Sequence, residues 1–225
     1  MPSRPMNGKI RFLLGFGLFF AALWFLWDTP VVYPLKIFVV LLHEASHALA
    51  VVATGGTLDR ITLDPYQGGA TYFHGGNALL ALSAGYLGSL LWGGLMFTAG
   101  RNRRVRPDWV NGFIGVTVIL LTVFFIRSAF GLVFGIFFGV AMVAASQRIG
   151  GTWNRRLLLA LGLTSALYAI LDIKSDVLDR PELESDAHML AELTGVGTTT
   201  MWGVIWITIA VAFATWLMLR AWDEA

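Results

Sequence analysis

Leu35-Lys36-Ile37-Phe38-Val39-Val40-Leu41-Leu42-His43-Glu44-Ala45-Ser46-His47-Ala48-Leu49-Ala50-Val51-Val52-Ala53 is an apolar run whose second half carries His43-Glu44-x-x-His47. The run is about as long as the ~20 residues that cross a bilayer as a helix. On a helix the two histidines lie four positions apart and project from one face. That spacing suits a zinc ion bound by two imidazoles, with Glu44 beside the open position as a general base. A membrane helix pays heavily for each ionisable side chain, so three within five residues point to a site. The alternative is a polar patch satisfied between packed helices.

Composition places the whole chain in the same setting. It is 56% hydrophobic and 13% charged, with a mean hydropathy of +0.69, whereas soluble domains are nearer one quarter charged. This is the profile of a polytopic membrane protein. With no cysteine, disulfides, thiolate zinc sites and a cysteine nucleophile are excluded. The net charge of +2 is gathered in loops, as topology signals are, and does not suggest nucleic-acid binding.

Apolar windows predict seven spans, near Ile10 to Trp27, Pro34 to Thr54, Asn77 to Ala99, Trp109 to Ile126, Phe130 to Ser146, Leu157 to Ile173 and Met201 to Trp222. The first follows Arg4, Lys9 and Arg11 and ends on bulky residues, Leu23 to Trp27, unlike a signal-peptide cleavage site. It is expected to be an uncleaved span. Trp109, Trp153 and Trp222 stand at span ends as an aromatic belt would. Arg127-Ser128-Ala129, between the fourth and fifth runs, fits either a tight hairpin or one broken helix. With a hairpin, four crossings separate the end of span two from the end of span six, so both ends reach the same face. Orientation is left open, because the loops with Arg101, Arg103, Arg104, Arg106 and with Arg148, Arg155, Arg156 oppose the basic N-terminal segment. Residues 1–225 are expected to form a single integral-membrane domain, and the fold class is all-α polytopic with one short β-hairpin.

That hairpin is expected between spans two and three. Ile61 and Leu63 alternate with polar residues, Pro65-Tyr66-Gln67-Gly68-Gly69 reads as a turn, and Ala70 to Phe73 returns. Its free edge could take a substrate by strand addition; a plain surface connector accounts for it equally well. In span three, Ala81, Gly85, Ser89 and Gly93 recur every fourth residue, a close-packing face for a neighbouring helix.

A catalytic zinc needs three protein ligands, so one must come from elsewhere. Asp172 adjoins the apolar run Leu157 to Ile170, lies deepest and is the first candidate; Asp176, four residues on, shares its face as an alternative or as a partner to a ligand imidazole. Asp186 is a further alternative with a plain structural reading. Ser185 is an N-cap and Asp186 a first-turn acid of a short helix that reaches about Thr194 and stops at Gly195. His188 reads as exposed, Glu182, Glu184 and Glu192 as solvated loop or helix-face charges, and His74 as a loop histidine rather than a ligand.

These features resemble the site-2 protease family of intramembrane zinc metalloproteases. More closely, His43-Glu44-x-x-His47-Ala48, Ala84-Gly85-Tyr86-Leu87-Gly88-Ser89, Asp172-Ile173-x-x-Asp176, Ser185-Asp186-Ala187 and Trp202-Gly203-Val204-Ile205-Trp206 are similar to its compact peptidase M50B-like branch. In the wider family a Leu-Asp-Gly segment supplies the third ligand, whereas Ile173 follows Leu171-Asp172 here. The resemblance implies one catalytic zinc on His43 and His47, with Glu44 as base; Asp172 stays the first choice for its third ligand, with Asp176 and Asp186 as alternatives. It also implies a substrate that is another protein's transmembrane segment, reached within the bilayer of a cell membrane. Two other functions fit the residues: a non-catalytic membrane scaffold or chaperone of the same fold, and a metal or proton transporter lined by the same side chains.

Overall fold

The structure is a computed structural model that describes residues 8–26, 29–180, 182 and 184–224. Arg4 and Trp27, assigned above to the first span and its flank, lie outside the described residues. Eight α-helices and one hairpin follow in the order α1 (Gly8–Phe25), α2 (Tyr33–Ala53), β1 (Thr57–Leu63), β2 (Gly69–His74), α3 (Ala78–Arg101), α4 (Pro107–Phe125), α5 (Ala129–Arg148), α6 (Gly150–Asp172), α7 (Asp186–Thr194) and α8 (Thr199–Asp223). A π-helical turn, Ile173–Leu178, prolongs α6. Seven of the helices are long and apolar enough to cross a membrane, the sixth as the combined Gly150–Leu178 stretch. The chain is therefore an all-α polytopic membrane protein with one small hairpin.

Local chemistry sets the helix ends. Pro34 and Pro107 open α2 and α4, where the missing N–H costs nothing. Asn77, Ser128, Ser185 and Thr198 accept backbone N–H bonds at the starts of α3, α5, α7 and α8. Gly195, at φ 63°, closes α7 in the left-handed conformation.

Helices α2, α3 and α6 form the centre of the bundle, and α1, α4, α5 and α8 expose most of their apolar surface, as lipid-facing helices do. The small-residue stripe of α3 explains the close centre. A Cβ on Gly93 would come within 2.6 Å of Ala166 N, and one on Gly162 within 2.5 Å of Phe97 N, so the α3 and α6 backbones touch. Ser165 Oγ ties them by donating to Ser89 O at 2.8 Å. On the other side, α1 packs Phe12, Phe16 and Phe19 against Phe97, Leu217 and Ala221.

The α4–α5 junction is a hairpin. Ile126 is extended, Gly115 and Gly139 bring the two helices into backbone contact, and the connector pairs with β1. Arg127 N donates to Ile61 O at 2.9 Å, and Ser128 Oγ both accepts from Leu63 N (2.9 Å) and donates to Leu63 O (2.8 Å). Strand β1 is thus covered on both sides, by β2 in antiparallel register (Ile61 opposite Thr71) and by this connector. Among the described residues β2 has no backbone partner on its outer edge. The two arginine-bearing loops meet at one end, where Arg155 Nη1 donates to Gly100 O at 2.7 Å.

Candidate metal centre

The second half of α2 is pressed between α3 and the hairpin, and that packing fixes all three side chains of the motif. His43 and His47 turn toward α3. His47 Nδ1 lies 2.7 Å from Ala81 O, a hydrogen bond that puts the proton on Nδ1 and leaves the Nε2 lone pair free. His43 stands edge-on to the Tyr86 ring, centroids 4.7 Å apart. Between Ala81 and Tyr86 on the same helix, Gly85 faces both imidazoles; a Cβ there would collide with Nε2 of each. Glu44, 4% exposed, turns the other way, toward β2. Thr71 Oγ1 donates to Glu44 Oε2 at 2.7 Å, and Gly69 leaves the space its other carboxylate oxygen needs.

The third group comes from α7. Asp186 Oδ2 is 3.1 Å from His43 Nε2 and 3.2 Å from His47 Nε2, and one ligand atom from each residue lies within 4.8 Å of the others. Among the described residues this is the only such cluster. Asp172, the first candidate from sequence, lines the same cavity but is not among the three groups that converge; Asp176 also lines it and is ion-paired with Arg180. The expectation for α7 itself was accurate, since Ser185 Oγ accepts from His188 N at 3.3 Å and Gly195 ends the helix. What sequence missed is where that helix lies. Ala187 and Leu190 are fully buried with Tyr86, Val177 and Trp206, which seats the first turn of α7 over the histidines. Of the remaining candidates, His74, Glu182, Glu184 and Glu192 are exposed, while His188, expected to be exposed, is half-buried beside Glu192.

Two observations test whether a metal fits. Asp186 Oδ2 is buried without a regular hydrogen bond, although it sits beside two nitrogens whose lone pairs converge on it. And the space those atoms enclose is open because residue 85 has no side chain. Two neutral imidazoles and one carboxylate are a donor set for a divalent ion that keeps one position open. The centre faces a cavity of about 590 Å³ lined by Glu44, Thr71, Tyr86 and Asp172 among others.

Gly85, Thr71 and Gly69 were not singled out from sequence as site residues. Gly85 was legible as one of a packing stripe and within a family-like motif, and Gly69 as part of a turn, none of which assigned them to the site.

The Peptidase M50B-like family profile matches residues 17–217. No curated protein and no solved structure matches the chain. The profile match takes in the motif helix, the hairpin, α3 and α7, and with them His43, Glu44, His47 and Asp186, so the chain belongs to the Peptidase M50B-like family, of the site-2 protease kind.

Proposed function

We propose that this protein is an intramembrane zinc metalloendopeptidase that hydrolyses a peptide bond in the transmembrane segment of another protein. The observation that carries the reading is the meeting of His43, His47 and Asp186 beside Glu44, within an apolar bundle and open to a cavity. His43 Nε2, His47 Nε2 and an Asp186 oxygen would hold the ion; Asp172 and Asp176 remain in the cavity wall. Bound there, zinc would supply Lewis acidity, making water a stronger nucleophile and polarising a carbonyl.

The chain's own residues do the rest. Glu44, steadied by Thr71, accepts the proton of the attacking water and later passes it to the departing amide nitrogen. Val40 and Leu82 line the same cavity, and Gly69 and Thr71 of the hairpin pack against the Glu44 carboxylate. The free outer edge of β2, next to the cavity, supports capture of an unwound substrate segment by strand addition. Unwinding is needed because an intact helix hides its amides. The surroundings in this reading are the lipid bilayer, a cell membrane most simply, and no nucleic acid.

The test is Glu44→Gln in purified protein in proteoliposomes, with a fluorogenic peptide of about 20 apolar residues as substrate. Zinc content and folding should match the unaltered protein while cleavage disappears, since Gln keeps the shape but cannot take the proton. Peptidase activity that survives Glu44→Gln overturns the mechanism, and an unaltered protein that holds no zinc overturns the function.

A further inference from the structure

Tyr86 is 4% exposed, stands edge-on to His43 and packs its ring on Trp206 at 5.5 Å, yet it also lines the catalytic cavity. No hydrogen bond from a described residue reaches its hydroxyl. With its ring buried and no protein partner for its hydroxyl, Tyr86 leaves that group to whatever occupies the cavity. Of the other polar side chains in the cavity wall, Thr71 donates to Glu44, Gln67 accepts from Tyr168 through Oε1, and Ser185 accepts from His188 N at the start of α7. Among the described residues neither lysine nor arginine lines the cavity.

Given the peptidase reading above, on which this rests, we propose that Tyr86 is a catalytic residue. Its O–H donates a hydrogen bond to the substrate carbonyl oxygen as that oxygen becomes an oxyanion. The two halves of the reaction then have separate walls. Glu44 is held by β2 on one side of the centre, and Tyr86 is held by α3 on the other, one residue beyond Gly85 where that helix meets the imidazoles. As the new C–O bond forms, the carbonyl π pair moves onto oxygen and the water's proton goes to Glu44. Tyr86 keeps its own proton and stabilises the negative oxygen. The C–N bond then breaks as Glu44 delivers the proton to nitrogen, and the carbonyl re-forms. A neutral phenol, with an ordinary pKa near ~10, holds its proton at neutral pH. In a water-poor site such a donor contributes far more than it would in water.

Tyr86→Phe removes only the hydroxyl and leaves the ring against His43 and Trp206. The experiment measures zinc content, kcat, KM and the affinity of a phosphinic peptide, whose tetrahedral anionic centre mimics the oxyanion. Expected are unchanged zinc and KM, kcat lower by roughly 100- to 1,000-fold as for other lost oxyanion donors, and a comparable loss of phosphinic peptide affinity with product peptide binding unchanged. A kcat close to that of the unaltered protein, with phosphinic peptide affinity intact, overturns the proposal. So does a Tyr86→Phe protein that unfolds or loses zinc, because the hydroxyl would then serve the protein itself. If the unaltered protein binds no zinc, the peptidase reading fails first, before any Tyr86 variant is compared.

Discussion

At the scale of single residues, the centre depends on atoms that are missing as much as on those present. His43 and His47 are brought to one face by helical spacing alone, but two imidazoles side by side need room opposite them, and α3 provides it only at Gly85. Gly85→Ala should therefore weaken zinc binding by about 100-fold or more, at the upper end of what outer-shell changes do to a metal site. Intrinsic propensity favours Ala over Gly in a helix by about 1 kcal/mol, so loss of helix is not the cause. Gly151→Ala, where a Cβ meets nothing within 4 Å, is the matched control. Unchanged zinc affinity in Gly85→Ala would show that the imidazoles do not use that space. His43, Glu44 and His47 were legible in the sequence because the motif states its chemistry in its spacing. Gly85 was not, because a glycine that makes room for a ligand and one that lets two backbones touch, as Gly93 does, are the same letter at the same interval.

Among the elements, the seven spans were legible because apolar length is a strong signal, and the hairpin because Ile61 and Leu63 alternate around a glycine-rich turn. The junction at Arg127 became decidable only through contact: the Ile126–Ser128 connector is fixed by bonding to β1, a partner more than 60 residues away in the chain that no local pattern encodes. The same limit applies to α7. Parity placed the end of span six on the face of the histidines, and depth in the apolar run then favoured Asp172. The π-helical turn and the fold-back of α7 instead deliver Asp186, seated by Ala187 and Leu190. Zinc titration separates the two acids. Asp186→Ala should leave only the weak affinity of the two imidazoles, whereas Asp172→Ala should cost no more than the roughly 10- to 100-fold of an outer-shell partner. A larger loss from Asp172→Ala would return the ligand role to α6.

For the whole molecule, the centre links parts that are otherwise joined by ordinary packing. His43 and His47 belong to the central helix α2, while Asp186 rides on α7, which packs on α3 and α8. A membrane segment that stays helical on unfolding, as its unsatisfied backbone favours, keeps the two histidines one turn apart with some metal affinity. What unfolding removes is Asp186. Stabilisation by zinc should accordingly depend on that residue. With free zinc at ~100 times Kd and no binding to the unfolded state, the native state gains about 2.7 kcal/mol. For chains of this length each kcal/mol moves Tm by about 2–4 °C, so zinc should raise Tm by up to roughly 5–10 °C. The residual His43–His47 affinity of the unfolded chain trims that figure. Removing zinc with a chelator should reverse the rise, and Asp186→Ala should show little of it while Glu44→Gln shows it in full. Thermal unfolding followed by tryptophan fluorescence reads all three, aided by Trp202 and Trp206 beside the α7 cluster. An equal zinc shift in Asp186→Ala and the unaltered protein would mean that the ion is held without α7, and the three-residue centre would have to be abandoned.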